Sequence, residues 1–420
     1  TCFALVAQAQ SWKFEGQYSG VYYHFPQGDV DRLETTSESS EDVQETLRWV
    51  AFKDKYFSSA LIASATGFKD NKLSIKAAKE GSGYVRDCSF KGTFPISIKE
   101  TETVLPFTFF FGPNDYDLLR SYDAGVSKEE ALHLDHLVYL GMSVFRWINK
   151  YLIIPVVTFL AQYLSNWGII ILLLTLFIKL LLWPFVYKSY LSQAKMRVLK
   201  PQIEEINAKY PGKEQEAMMK RQTETMNLYR SAGASPMSGC LPMLLQMPFL
   251  IALYMYFPTS ILLRGQGFLW ADDLSTYDAI ISWDFNIPLI SSFLGNHLSL
   301  FCVLMTVTNV LYTRYTMGQT PSAGEGMAGM KMMPYIMSIM FFFMFNQNAS
   351  GLSYYYFVST LITIVQYLAF RWTLNEDKLL SQLEANKQKP RKKSKWMQRL
   401  EEAQRLQQEQ QRKAQKQGKR

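Results

Sequence analysis

The sequence predicts an α-helical, polytopic membrane protein with a β-rich region ahead of its helices. Three observations lead there. Several windows of the 420-residue chain are almost pure Leu, Ile, Phe and Met, although a mean hydropathy of −0.07 averages them away. The first third instead shows strand-like alternation broken by Gly and Pro, as in YSGVYYHFP (18–26) and FKGTFPISIKE (90–100). Finally, positive charge is unevenly spread. Residues 188–235 carry nine Lys or Arg and the segment after Trp372 carries fourteen, whereas residues 264–297 carry one. The positive-inside bias places the first two segments in the cytoplasm.

Residues 1–120 therefore read as the C-terminal part of a β-rich domain outside the membrane. Thr1 is not an initiator methionine and no signal-like segment opens the chain, so the N-terminus reads as that of a fragment or processed product. Residues 121–165 turn helical. Phe145, Trp147, Ile148, Tyr151 and Leu152 beside Arg146 and Lys150 suit an amphipathic helix lying on the membrane surface.

A membrane helix needs about 20 mostly apolar residues. Residues 167–187, 241–263, 298–316 and 352–372 meet that requirement; the second carries Pro242, Pro248 and Pro258, which neighbouring helices can accommodate in lipid. Residues 332–345 give only roughly 21 Å of helix against a core of about 30 Å. An even number of crossings must separate the two basic segments, so this short stretch has to span as well, locally thinning the bilayer. Five spans result within 166–372, with residues 1 to about 145 outside and the C-terminus in the cytoplasm.

Between the first two spans lies a charged helical hairpin, 189–234. Leu191, Met196, Leu199, Ile203, Ile206 and Tyr210 recur at helical spacing, with Pro201 kinking or restarting the first helix. After the Pro211-Gly212 turn, Met218, Met219, Met226 and Tyr229 mark a second helix stopping at Gly233, with Glu216 and Lys220 as an i,i+4 pair. Its methionine-rich face suits variable partners, or the two helices pack only on each other. Residues 373–420 are a basic cytoplasmic tail including KPRKKSKWMQR (389–399), able to bind anionic lipid headgroups or ribosomal RNA.

The polar residues inside the spans carry the functional reading. In TLFIKLLLWPF (175–185), Lys179 stands about eight residues, roughly 12 Å, from the cytoplasmic end of its helix. It either snorkels toward the headgroups or faces a bundle interior or water-filled cavity, because a charge in hydrocarbon costs ~2.5 to over 10 kcal/mol. Thr175 shares its face at i−4. Gln246 and Gln366 lie at a similar depth, each open to a simple interhelical hydrogen bond instead, as is Asn309. Tyr354 fits an aromatic belt near the outer interface.

Four stretches together resemble YidC-type bacterial membrane protein insertases: WGIIILLLTLFIKLLLWPF, AKMRVLKPQI, SPMSGCLPMLLQMPFLIALY and SGLSYYYFVSTLITIVQ. The resemblance covers about residues 140–375, with FKGTFPISIKE through residues 115–119 resembling the end of the family's periplasmic β-sandwich. It implies a five-helix insertase core at the inner membrane, preceded by more periplasmic domain and one further span in Gram-negative members. It also implies an ATP-independent insertase and chaperone serving nascent membrane proteins, alone or beside the Sec translocon, with the ribosome met through the basic tail. In the family a hydrophilic groove carries one positive charge. Lys179 occupies that position, with Thr175 and Tyr356 on the deeper wall and Gln246 and Gln366 at the level of the amine. The usual residue there is arginine, and lysine, unlike arginine, can give up its proton when desolvated.

No cofactor or catalytic residue is expected. No G-x-x-x-x-G-K-[ST] phosphate loop occurs, and a protease built on Ser235 or Ser238 fails because His24, His133, His136 and His297 fall on the outer side. His133 and His136 at i,i+3 lack a third ligand in the sequence, so no metal is assigned. A small-solute transporter would call for inverted repeats, which are not detectable. Cys2, Cys88, Cys240 and Cys302 show no C-x-x-C spacing and read as small hydrophobes.

Overall fold

A computed structural model describes residues 2–5, 16–33, 38–63, 67–79, 82, 84–95, 105–212, 215–234, 241–285, 291, 294–319 and 328–388. Part of FKGTFPISIKE, the serines at 235 and 238, Cys240 and the basic run after residue 388 lie outside them. The chain divides into two compact units, one comprising 1–188, 240–318 and 327–371, the other 189–239, 319–326 and 372–420.

The first unit opens with nine strands: β1 (Cys2–Leu5), β2 (Gly20–His24), β3 (Val30–Arg32), β4 (Ser39–Val43), β5 (Trp49–Lys53), β6 (Phe57–Ala63), β7 (Lys69–Ala77), β8 (Tyr84–Thr93) and β9 (Phe107–Pro113). They form a four-stranded sheet in the order β1-β8-β7-β4 and a five-stranded sheet in the order β3-β2-β5-β6-β9. Alternation decides the inner faces. On β7, Asn71, Leu73 and Ile75 turn inward while Lys72 and Lys76 face out, and Leu73 and Ile75 stand opposite Phe90 and Cys88 of β8. Val21, Tyr23, Leu33, Val50 and Phe68 complete a core between the sheets. Asn71 donates to the carbonyls of Val43, Glu45 and Phe68 and so satisfies buried backbone where strand pairing ends.

The linker is fastened to this domain by backbone recognition. Arg48 donates to the carbonyls of Glu129, Glu130 and Ala131, and Trp49 Nε1 donates to Leu132 O at 2.6 Å. His24 stacks on Trp49 at 5.5 Å, and burial pushes its imidazole down to about 4, with His133 and Arg48 acting in the same direction. Helix α1 (Tyr116–Ser121) is capped by Asp115, whose carboxylate accepts from Leu118 N. Helix α2 (Ser143–Ala161) contains one π turn, Asn149–Ile153, just before Pro155. The wider turn accommodates a residue that cannot donate, and it turns Asn149 inward to donate to Leu140 O and Ala252 O. Ile148, Ile153, Ile154 and Val157 are buried whereas Val144, Trp147, Tyr151 and Phe159 are exposed, so the open face is apolar. By length and composition this segment is also able to cross a membrane, more than an interfacial helix requires.

Each of the five expected spans contains a helix, α3 (Trp167–Val198), α6 (Leu241–Tyr256), α7 (Leu300–Gln319), α8 (Ala328–Asn346) and α9 (Ser350–Thr373), with the hairpin helices α4 (Lys200–Lys209) and α5 (Gln215–Ala232) between the first two; of the five, α3 and α9 are long and apolar enough to cross a membrane by length and composition. Helix α6 ends before Pro258, which sits in a 3₁₀ turn. Helix α8 begins four residues before the apolar stretch, so its 19 residues rise roughly 28 Å, while Lys331 among the added residues leaves Met332–Asn346 as its apolar part. Asn309 donates to Ser338 Oγ at 3.0 Å, a link between α7 and α8. Tyr354 is not at an exposed belt position; it is buried between Phe268 and Phe301. Gly168 lets α3 approach the following loop, since a Cβ there would fall inside the Phe268 ring.

Within the second unit, Pro201 restarts the helix as α4, and α5 ends at Gly233, whose φ of +75° is the left-handed C-cap conformation. Lys220 pairs with Glu216 at 2.8 Å, and Lys209 and Tyr210 both reach Glu224 across the hairpin. A tenth helix, α10 (Glu376–Gln388), capped by Asn375, packs Leu379 and Leu383 inward and pairs Glu376 with Arg197. The segment after residue 373 thus begins with a helix, in which Leu379, Leu380 and Leu383 supply an apolar stripe too short to register as a span.

Asn346 ties the loop between α6 and α7 to the end of α8. It is fully buried, donates to Leu294 O and His297 O, and accepts from Ser299 N. Asn346→Ala orphans three buried backbone groups and should destabilise the protein by roughly 2–4 kcal/mol, read as a fall in thermal unfolding temperature in detergent; an unchanged midpoint would show these bonds to be replaceable.

Candidate functional site: a buried amine among three helices

Lys179 sits on α3 where neighbouring turns are Leu, Ile and Phe, so its side chain must turn toward whatever oxygens the adjacent helices offer. Two are in place. Lys179 Nζ donates to Gln246 Oε1 on α6 at 3.0 Å and to Thr363 Oγ1 on α9 at 2.7 Å. Gln246 in turn donates through Nε2 to Ser359 Oγ at 2.9 Å, and Thr363 donates to Ser359 O at 2.8 Å. A closed circuit of polar groups thus joins three helices. Lys179 is 3% exposed, and Ser359 and Thr363 are buried with it. The amine does not reach for the headgroups; it is held inside the bundle.

All the groups that meet the amine are neutral, and among the described residues no carboxylate pairs with it. An ammonium offers three donors and attracts anions, so this is a cation site supplied with oxygens but not with a counter-charge.

The five expected residues are divided. Lys179 and Gln246 meet directly. Thr175 is fully buried one turn away, but its hydroxyl donates to Ile171 O of its own helix at 2.7 Å. Tyr356 lies beside Phe345, ring centres 6.2 Å apart. Gln366 is buried with no hydrogen-bond partner for Oε1 among the described residues, and it makes no bond to Lys179. Its depth is right, but Thr363, one turn earlier on α9, presents the nearer oxygen. Ser359 and Thr363 are the residues that sequence reading passed over. Their trace was present: Tyr356, Ser359, Thr363 and Gln366 are spaced 3, 4 and 3 residues apart and form one polar stripe on an otherwise apolar helix.

The fold and this site define a class: a multi-pass α-helical membrane protein with a lysine caged by polar side chains and a β domain before its helices. Residues 159–377 match the family model for the 60Kd inner membrane protein, and residues 4–155 match that for the YidC periplasmic domain. The chain belongs to the 60Kd inner membrane protein family. Membrane protein insertase YidC of Porphyromonas gingivalis is 61% identical over 410 residues, covering 97% of this chain and 65% of the relative. Those of Parabacteroides distasonis and Bacteroides fragilis are 54% and 48% identical, covering 97% and 93% of this chain and 64% and 62% of the relatives. The chain thus spans about 65% of the length of the first of these relatives.

The circuit yields a coupling test. Thr363→Val should cost ~1–3 kcal/mol with Lys179 present and much less in a Lys179→Met background, because only the amine makes the hydroxyl indispensable. Thermal unfolding of the four proteins in detergent measures it; purely additive effects would mean that the bond carries no net energy.

Proposed function

We propose that the chain is a membrane protein insertase and chaperone, not an enzyme, that guides nascent membrane proteins into the inner membrane through a hydrophilic groove, alone or with the Sec translocon. The observation that carries this reading is Lys179, an amine buried in an apolar bundle with neutral oxygens around it and no acidic partner among the described residues. The names of the relatives, membrane protein insertases, support the same reading.

The mechanism follows from cost. An acidic or hydrophilic segment cannot cross about 30 Å of hydrocarbon cheaply. In the proposed cycle α3, α6 and α9 part on the cytoplasmic side, water enters, and a carboxylate of the incoming segment replaces Gln246 and Thr363 as partner of the amine. Thr175 and Tyr356 line the deeper wall and Gln366 the level of Lys179. The substrate's own apolar helix then moves sideways into lipid, where burial at ~25 cal/mol per Å² supplies the drive, so no nucleotide is needed. When cargo leaves, the polar circuit closes again and keeps the bundle sealed.

Residues 1 to about 145 are placed in the periplasm and the C-terminus in the cytoplasm. There the hairpin 189–234 and the basic tail meet anionic lipids and, in the tail's case, the ribosome, as its charge suits phosphate.

In a depletion strain, Lys179→Arg should sustain insertion of substrates with acidic translocated segments, and Lys179→Leu should lose much of it; equal activity of the two defeats the charge mechanism. Cysteines at 175 and 246, with Lys179 retained, should label from the cytoplasmic side with a water-soluble thiol reagent while a stalled nascent chain is engaged. Protection of both would mean that the bundle never opens.

A further inference from the structure

We propose that His133, Asp135 and His136 form a divalent transition-metal site in the β domain, with zinc as the fitting ion and His24 as its fourth ligand. The potential ligand atoms of His133, Asp135 and His136 all lie within 4.8 Å of one another. They sit on and just before a 3₁₀ turn, Leu134–Leu137, preceded by His133 in the left-handed conformation at φ 51°. Asp123 fixes that turn by accepting from Leu132 N at 2.6 Å and His133 N at 2.9 Å, and its carboxylate lies 4.0 Å from His133 Nδ1. A carboxylate behind a ligating imidazole is the arrangement that orients such rings.

The second, independent observation is His24. It is fully buried, yet neither ring nitrogen has a hydrogen-bond partner among the described residues. Its ring centre is 5.8 Å from that of His133, which in turn is 5.8 Å from His136. A buried imidazole left with two unmet nitrogens is costly unless something else is bound. Three imidazoles and one carboxylate suit zinc, whereas calcium and magnesium favour all-oxygen sets. Bonds of ~2.0–2.1 Å place tetrahedral ligands about 3.3 Å apart, so the ligand atoms of His133, Asp135 and His136, now within 4.8 Å of one another, need to close by ~1.5 Å at most, and the His24 ring has to turn in from a centre 5.8 Å from that of His133. Arg48 near His24, and Arg146 and Lys150 near His136, oppose a cation. Arg48 is committed to three carbonyls, and Asp123 and Asp135 offset the remainder. Occupied, the site would pin the end of β2 to the segment that leads away from the β domain.

The test uses the full chain, tag-free in detergent, stripped with a chelator and titrated with Co²⁺ as the spectroscopic stand-in for zinc. One equivalent should bind with the strong visible bands of four-coordinate cobalt and be displaced by Zn²⁺. His136→Asn and Asp135→Asn should each weaken binding at least about tenfold, and His24→Phe should shift the bands as water replaces the ring. Asp135→Asn keeps the side-chain shape and decides the matter if a histidine variant fails to fold. Only the weak spectrum of hydrated cobalt, or equal affinity in wild type, Asp135→Asn and His136→Asn, would overturn the site; unchanged bands in His24→Phe would overturn its role as ligand.

Discussion

A primary amine half-way along an apolar helix must be met by oxygen, and in this chain that single requirement organises three helices. Lys179 cannot be satisfied by its own helix, whose carbonyls are already engaged. Gln246 and Thr363 supply what it lacks, and Ser359 then completes the bonding of Gln246. Each of these side chains would be a liability facing lipid. Together they exchange liabilities, so α3, α6 and α9 are held in one relative register without any apolar contact having to specify it.

The β domain meets the same constraint differently. Its linker is irregular backbone, and the carbonyls of Ala131 and Leu132 are partly withdrawn from water there. Arg48 and Trp49, adjacent at the start of β5, take these and the carbonyls of Glu129 and Glu130. The guanidinium fork suits this because its donors are rigid and planar. In both regions, polar side chains serve as connectors between elements whose apolar surfaces alone would permit several arrangements.

The helices were legible because hydrocarbon imposes a length and a composition on whatever crosses it. The hairpin was legible through local rules: an i,i+4 pair, a restarting proline and a terminating glycine. What stayed hidden was lateral. That Thr363, rather than Gln366, meets Lys179 depends on the rotation of α9 against α3, which a periodicity reading does not set. The approach of His24 to His133 joins residues more than a hundred positions apart through sheet topology. Helix α10 was obscured by the basic run after it, whose charge dominates any composition window, and the extent of α8 by Gly329 and Lys331, which interrupt the apolar run without ending the helix.

Asn346 bears on the order in which the molecule is built. It closes α8 by bonding Leu294, His297 and Ser299, residues that precede Asn346 itself by some fifty positions. The tip of α8 can lock only onto a loop that has already taken shape, so a chain cut short before residue 346 would leave the carbonyls of Leu294 and His297 and the amide of Ser299 without these partners.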